Sequence, residues 1–201
     1  MRTLFKGGSV VSGKGVRRAD LLVEGEKVVS LGRGLKAEAD RVIDVTGCVL
    51  FPGFIDAHTH FDLEVAGTVT ADGFATGSRA ALRGGTTTVI DFACPDKGES
   101  LASGLERWRK KAVGKTFCDY GFHMTIDDWN ESIRRELPEM FAQGISSFKM
   151  YMTYPAMLLG DRDLYWALKE LKTLGGVCGV HCENAGVIDG MIAEKKAAGE
   201  K

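Results

Sequence analysis

The segment Phe51-Pro52-Gly53-Phe54-Ile55-Asp56-Ala57-His58-Thr59-His60-Phe61-Asp62 joins a turn, an apolar run and two histidines within twelve residues. Pro52-Gly53 marks the turn, and the run behind it predicts a strand beginning at Phe54. Side chains alternate across a strand, so His58 and His60 project from one face and aim two imidazoles at one point. A lone His-x-His pair more often marks hydrogen-bonded core or rim histidines than a metal site. Here it has company: Asp56 on the same face, Lys149 inside an apolar run, and His181 at the end of a later strand.

Downstream of Phe51 the pattern alternates strand and helix. Leu101, Leu105, Trp108 and Ala112 form one helical stripe, and Leu164, Leu168, Leu171 and Leu174 form another. Ile133, Leu137, Met140 and Phe141 share that spacing, but Pro138 falls among them and predicts a break or a fresh helical turn. Gly85, Gly114, Gly144 and Gly176 each precede a β-branched or aromatic run, 29, 30 and 32 residues apart, the length of a strand plus a crossover helix. With the strand from Phe54 to His60 this makes five strands, the last followed by a helix over residues 185–201. An open doubly wound sheet shares the alternation, but no glycine-rich phosphate loop follows the first strand. Candidate site residues instead stand at the C-terminal ends of three strands, the rim used by (β/α)8 barrels. The expected fold is therefore α/β, with about five βα units of a TIM-type (β/α)8 barrel over residues 51–201. Residues 1–50 contain short β-type runs, with a hairpin signal at Glu24-Gly25-Glu26, and predict a small antiparallel β unit.

The 201 residues are 44% hydrophobic and 26% charged with a net charge of −1, which places the chain among globular proteins. No block of lysine and arginine offers a footprint for nucleic acid or an anionic membrane, so a small neutral or weakly charged partner is expected. The N-terminus lacks the apolar core of a signal peptide, and no apolar run reaches membrane-spanning length, which predicts a cytoplasmic protein. Cys48, Cys94, Cys118, Cys178 and Cys182 form an odd set without a C-x-x-C pair, the pattern of reduced, mostly buried thiols.

Lys149 lies in Ser146-Ser147-Phe148-Lys149-Met150-Tyr151-Met152, where burial penalises an ammonium and favours the neutral amine. A neutral amine adds carbon dioxide to form a carbamate able to bridge two cations; a lysine whose head snorkels to the strand end is the plainer reading. His181 ends the fifth strand and faces the same rim. His123, in mid-strand, is read as core. Asp56 and Asp91 either orient ligands or cap strand ends.

Asp44-x-x-Gly47, Pro52 through His60, the strand lysine Lys149 and the Val180-His181-x-Glu183-Asn184 run resemble the amidohydrolase superfamily, most closely the D-hydantoinase/dihydropyrimidinase family. The resemblance extends over essentially the whole chain. It implies that His58 and His60 bind a first divalent ion, that carbamylated Lys149 bridges, and that His181 binds a second, zinc being the expected metal. It also implies that Tyr154 hydrogen-bonds a developing oxyanion, and that Leu63, Val65, Tyr151 and Leu158 belong to loops shaping a pocket for the substrate's exocyclic substituent. The implied reaction is hydrolysis of the cyclic amide of dihydropyrimidines or hydantoins to N-carbamoyl amino acids, with residues 1–50 forming part of a small β-sandwich domain.

The family's remaining metal ligands, a histidine and an aspartate, are carried by strands outside these 201 residues. The chain alone is accordingly expected to be an inefficient hydrolase, poorly stable and prone to self-associate, whereas relatives of full length are expected as homotetramers. Dihydroorotase resembles His-x-His-x-Arg, with the arginine binding a substrate carboxylate; Asp62 stands at that position here and is expected to disfavour dihydroorotate. The same resemblance would also suit an allantoinase-like enzyme or a metal-free hydantoinase-like assembly protein, and the intact set of His58, His60, Lys149 and His181 disfavours the second of these.

Overall fold

The computed structural model describes residues 1–65 and 67–200, and the chain divides into two compact units, Met1–Phe54 and Ile55–Lys201. The first unit is built of β1 (Arg2–Lys6), β2 (Ser9–Ser12), β3 (Gly15–Arg18), β4 (Asp20–Glu24), β5 (Lys27–Gly32), β6 (Arg41–Asp44) and β7 (Val49–Leu50). These form two sheets, ordered β5-β4-β1-β6 and β3-β2-β7. Glu24 pairs with Lys27 across the Gly25-Glu26 turn, where Gly25 takes φ 58°, the left-handed value such a two-residue turn requires. The expectation of an antiparallel unit needs correction: β1 pairs with β6, and β2 with β7, in parallel. Those partners are far apart in sequence, so no hairpin turn dictates their direction.

The second unit follows the chain through β8 (Phe54–Thr59), whose first residue lies at the boundary, then β9 (Glu64–Val65), β10 (Thr68–Val69), α1 (Phe74–Arg83), β11 (Thr86–Ala93) and α2 (Leu101–Ala112). It continues through β12 (Asp119–Thr125), α3 (Glu131–Ala142), β13 (Ser147–Tyr151), α4 (Asp161–Leu174), β14 (Val177–His181) and α5 (Ala185–Ala197). The large strands lie side by side in chain order, β8-β11-β12-β13-β14, and β11 through β14 pair in parallel. Every βα crossover thus steps the same way round. A doubly wound sheet reverses direction at a switch point, whereas a barrel winds continuously, so this is five strands of a TIM-type architecture.

Helix stripes pack on the outward residues of the strands. Leu101, Leu105, Trp108 and Ala112 of α2 are all buried, in one cluster with Phe122, Met124, Phe148 and Met150. Pro138 does not break α3, which runs unbroken from Glu131 to Ala142. The pyrrolidine is exposed, while Leu137 and Met140 on either side are fully buried, and their packing outweighs the lost backbone bond. The stripe of α4 is also shifted: Ala167 and Leu171 are buried, but Leu168 lies at the edge of the apolar arc and is 39% exposed. The left-handed cap before β14 is Gly175, φ 78°, one residue earlier than expected. The terminal helix ends at Ala197, and the expected end at Lys201 lies outside the described residues. All five cysteines are free thiols, but Cys48 and Cys182 are exposed because they sit in the connections flanking strands rather than in core-facing positions. Among the described residues no helix is long and apolar enough to cross a membrane.

Candidate functional site

His58 and His60 converge as their spacing predicts. Their Nε2 atoms lie 3.2 Å apart, with the rings nearly perpendicular. Phe92 on neighbouring β11 forms the platform beneath them, its ring centroid 4.7 Å from that of His58 and 4.9 Å from that of His60. His123 packs on the same ring at 4.8 Å. Its Nε2–H donates to the carbonyl of Ala57 at 2.9 Å, which leaves Nδ1 to accept from the Ser147 hydroxyl at 2.6 Å. His123 therefore links three strands by hydrogen bonds, in keeping with a structural role.

Asp91, fully buried, fixes the strand end that carries the histidines. Its Oδ2 accepts from Thr59 Oγ1 at 2.9 Å and from the Phe61 amide at 2.8 Å; its Oδ1 accepts from the Phe92 amide at 2.8 Å and from Trp108 Nε1 at 3.3 Å. Burial nevertheless holds this carboxyl above the usual carboxylate range, because desolvation outweighs the donors. Asp91 thus clamps both neighbours of His60 without touching its ring. Asp56 accepts from the backbone amide of His58 at 3.1 Å, a local strand contact.

Lys149 is half-buried, with Nζ 5.2 Å from the centroid of the Tyr151 ring. In the β13/β14 register Lys149 lies opposite Gly179, and Tyr151 opposite His181. A Cβ at Gly179 would stand 3.8 Å from Lys149 Cδ, an ordinary contact, so the lysine stem passes alongside that strand. His181 Nε2 is 3.4 Å from the Tyr154 hydroxyl and 3.3 Å from Glu183 Oε1. Tyr154 takes φ 65°, a left-handed conformation that costs a non-glycine residue about 1–2 kcal/mol and marks a constrained position.

Several features bear on whether these residues suit a divalent ion. Two nitrogens bound at about 2.0–2.1 Å to one tetrahedral zinc stand about 3.3 Å apart, close to the separation of the two imidazoles. Burial first, then the positive potential of His58 and Lys149, lowers the pKa of His60 and favours the neutral form that ligates. Its Nδ1 is buried without a protein partner. Among the described residues no three His, Cys, Asp or Glu side chains gather into a cage, and Lys149 is near enough for its charge to act on His60. The donor set fits a metal on those terms.

Beside His60 opens a cavity of about 410 Å³. Leu63 and Val65, flanking Glu64, form one wall; Tyr151, Ala156 and Met157 form another. Leu158, expected there, instead pairs with Tyr151 through its backbone. Asp62 also has a structural role. Its carboxylate accepts from the Phe74 amide at the start of α1 at 3.1 Å, and its carbonyl accepts from Lys111 Nζ at 2.7 Å. The carboxylate is anchored at a helix N-terminus and offers no cation to a substrate carboxylate.

A family model described as "Amidohydrolase family" matches residues 49–200. The chain belongs to the amidohydrolase family. It is similar to the D-hydantoinase of Geobacillus stearothermophilus, 44% identical over 94% of this chain and 41% of the relative, and to the dihydropyrimidinase of Rattus norvegicus, 39% identical over 93% and 37%. The crystal structure of dihydropyrimidinase from Brevibacillus agri superposes with a TM-score of 0.95 at 42% identity, covering all of this chain and 44% of that one. This amidohydrolase chain therefore spans about two-fifths of the length of the curated relatives it matches.

Sequence reasoning passed over Phe92 and Asp127, and for Asp91 it left open whether the residue orients ligands or caps a strand end. Phe92 reads as one more apolar strand residue, and only the neighbouring strand shows what lies on it. Asp127 had a signal, a polar residue just past the C-terminal end of a parallel strand, where barrel sites collect.

Proposed function

We propose that this amidohydrolase chain carries metal- and substrate-binding machinery of a cyclic-amide hydrolase that opens dihydropyrimidine or hydantoin rings to N-carbamoyl amino acids. The convergence of His58 and His60 Nε2 at 3.2 Å, under the positive potential of Lys149, is the observation that carries this reading. His58 and His60 would hold a first divalent ion, Lys149 as its carbamate would bridge, and His181 would contribute to a second; zinc suits these donors. When bound, such ions supply Lewis acidity and an activated water at neutral pH.

The chain's own residues do the rest. Phe92 and Asp91 hold the two imidazoles in place before substrate arrives, so little reorganisation accompanies the reaction. The Tyr154 hydroxyl, kept near His181 by its constrained backbone, donates a hydrogen bond to the ring carbonyl oxygen as that oxygen gains charge. Water's oxygen bonds to the carbonyl carbon, the ring C–N bond breaks, and the nitrogen leaves protonated. Leu63, Val65 and Tyr151 shape the pocket for the exocyclic substituent, with Leu158 pinning Tyr151 through the backbone, and residues 1–50 contribute to a small β-sandwich domain.

Metal analysis, intact mass and turnover of dihydrouracil, hydantoin and dihydroorotate test this together, on a protein extended through all eight βα units. The expected result is bound zinc, a mass gain of one carbon dioxide on Lys149, and hydrolysis of dihydrouracil or hydantoin in preference to dihydroorotate. An unmodified Lys149 with no metal and no turnover, or a preference for dihydroorotate, would reject the reading.

A further inference from the structure

We propose that the cavity beside His60 selects cyclic amides whose exocyclic substituent ends in a nitrogen hydrogen-bond donor, with the Asp127 carboxylate as the acceptor. This rests on the cyclic-amide reading and adds a specificity residue to it.

Asp127 lies two residues beyond the end of β12, is 6% exposed, and lines the cavity that also borders His60. Apart from its own backbone amide, its carboxylate accepts no hydrogen bond among the described residues. Burial pushes it up to about 6, a sign of a carboxylate short of partners. Buried carboxylates are ordinarily paired, so one left open at a cavity wall is an acceptor awaiting a donor.

The cations of the same cavity are mostly occupied. Arg107 is held by Asp96 and Glu99 at 2.8 Å each and by the Cys94 carbonyl at 2.9 Å. Lys111 donates to the Asp62 carbonyl and lies over the Trp108 ring. Lys97 is exposed and lowers the Asp127 pKa from a distance, while Asp96 and Asp128 act in the opposite sense. Of the carboxylates lining the cavity, Glu64 and Asp96 are exposed and Asp127 is buried, beside the apolar walls of Leu63, Val65 and Met157, an arrangement suited to an alkyl or aryl arm with a donor at its tip.

The test is equilibrium binding of a matched pair, 5-(3-aminopropyl)hydantoin and 5-butylhydantoin, to the full chain, followed through tryptophan fluorescence since Trp108 lines the cavity. The amine is expected to bind on the order of tenfold more tightly than its apolar isostere, the strength of a hydrogen bond to a charged group. Asp127→Asn should lose most of that preference and Asp127→Leu all of it, while Lys97→Ala should enlarge it. Equal affinities in the unaltered protein, a preference that persists in both Asp127 variants, or failure of the amine to bind would overturn the proposal. Hydrolysis of unsubstituted hydantoin and dihydrouracil, which carry no arm to reach Asp127, reports separately on the parent reading.

Discussion

Asp91→Asn should loosen both the fold and the histidine pair, and the reason lies in hydrogen-bond directions. Both carboxylate oxygens of Asp91 accept from backbone amides, Oδ2 from Phe61 and Oδ1 from Phe92, each at 2.8 Å. An asparagine has one oxygen and one NH2, so either orientation sets the NH2 against a backbone N–H. The cheaper orientation keeps the bonds from Phe92 and Trp108 and turns the Thr59 hydroxyl into an acceptor, leaving only the Phe61 amide unsatisfied. An orphaned buried donor costs about 1–3 kcal/mol. Removing a buried carboxylate whose pKa is already raised offsets part of this, so a net loss of about 1–2 kcal/mol is expected at pH 7. Asp91→Ala leaves all four donors without an acceptor and should cost about 3–5 kcal/mol. Denaturant unfolding measures both values. Because Thr59 and Phe61 flank His60, zinc affinity should also fall about 10–100-fold in Asp91→Asn. A variant within about 0.5 kcal/mol of the parent, with unchanged zinc affinity, would refute the reasoning.

Asp127, at about 6 in the folded protein, binds its proton more tightly folded than unfolded; its contribution is most favourable below pH 4 and is lost as pH rises through 6. Asp127→Asn should therefore match the parent at pH 4 and exceed it by about 1–2 kcal/mol at pH 8, allowing for screening by solvent in the cavity, and a pH-independent difference in unfolding free energy would contradict this. Pro138→Ala should restore a backbone bond on the exposed face of α3 and stabilise by about 1–2 kcal/mol after the unfolded chain's gain in entropy, as read from the melting temperature. Gly77→Ala would drive a methyl into the Phe61 ring, so about 1–3 kcal/mol should be lost in denaturant titrations. In a protein extended through all eight βα units, Tyr154→Phe removes the hydroxyl beside His181 and should lower kcat on dihydrouracil about 10²–10³-fold with a smaller change in KM; an unchanged kcat would dismiss the oxyanion role.

Much of this architecture is written locally. The stripe Leu101-Leu105-Trp108-Ala112 needs only a helical period to be read, and His58 and His60 need only the two-residue period of a strand to share a face. The alternation of strand and helix, and the turn at Gly25-Glu26, are local in the same sense. Where the chain departs from expectation, distant residues decide. The direction of β6 and β7 is set by partners far along the chain, α3 passes through Pro138 because Leu137 and Met140 pack on other elements, and Leu168 falls outside a stripe centred by its neighbours. The site divides likewise. Sequence alone singled out His58, His60, Lys149 and His181, since their residue types carry their chemistry, and the family resemblance added Tyr154. Only the tertiary structure set Phe92 beneath the histidines, turned Asp91 onto the backbone around His60, drew Asp62 to the start of α1, and left Asp127 open at a cavity wall. Those roles arise from contacts across strands and helices, and a short carboxylate or an aromatic ring shows in sequence what it can bond to but not which partner comes within reach.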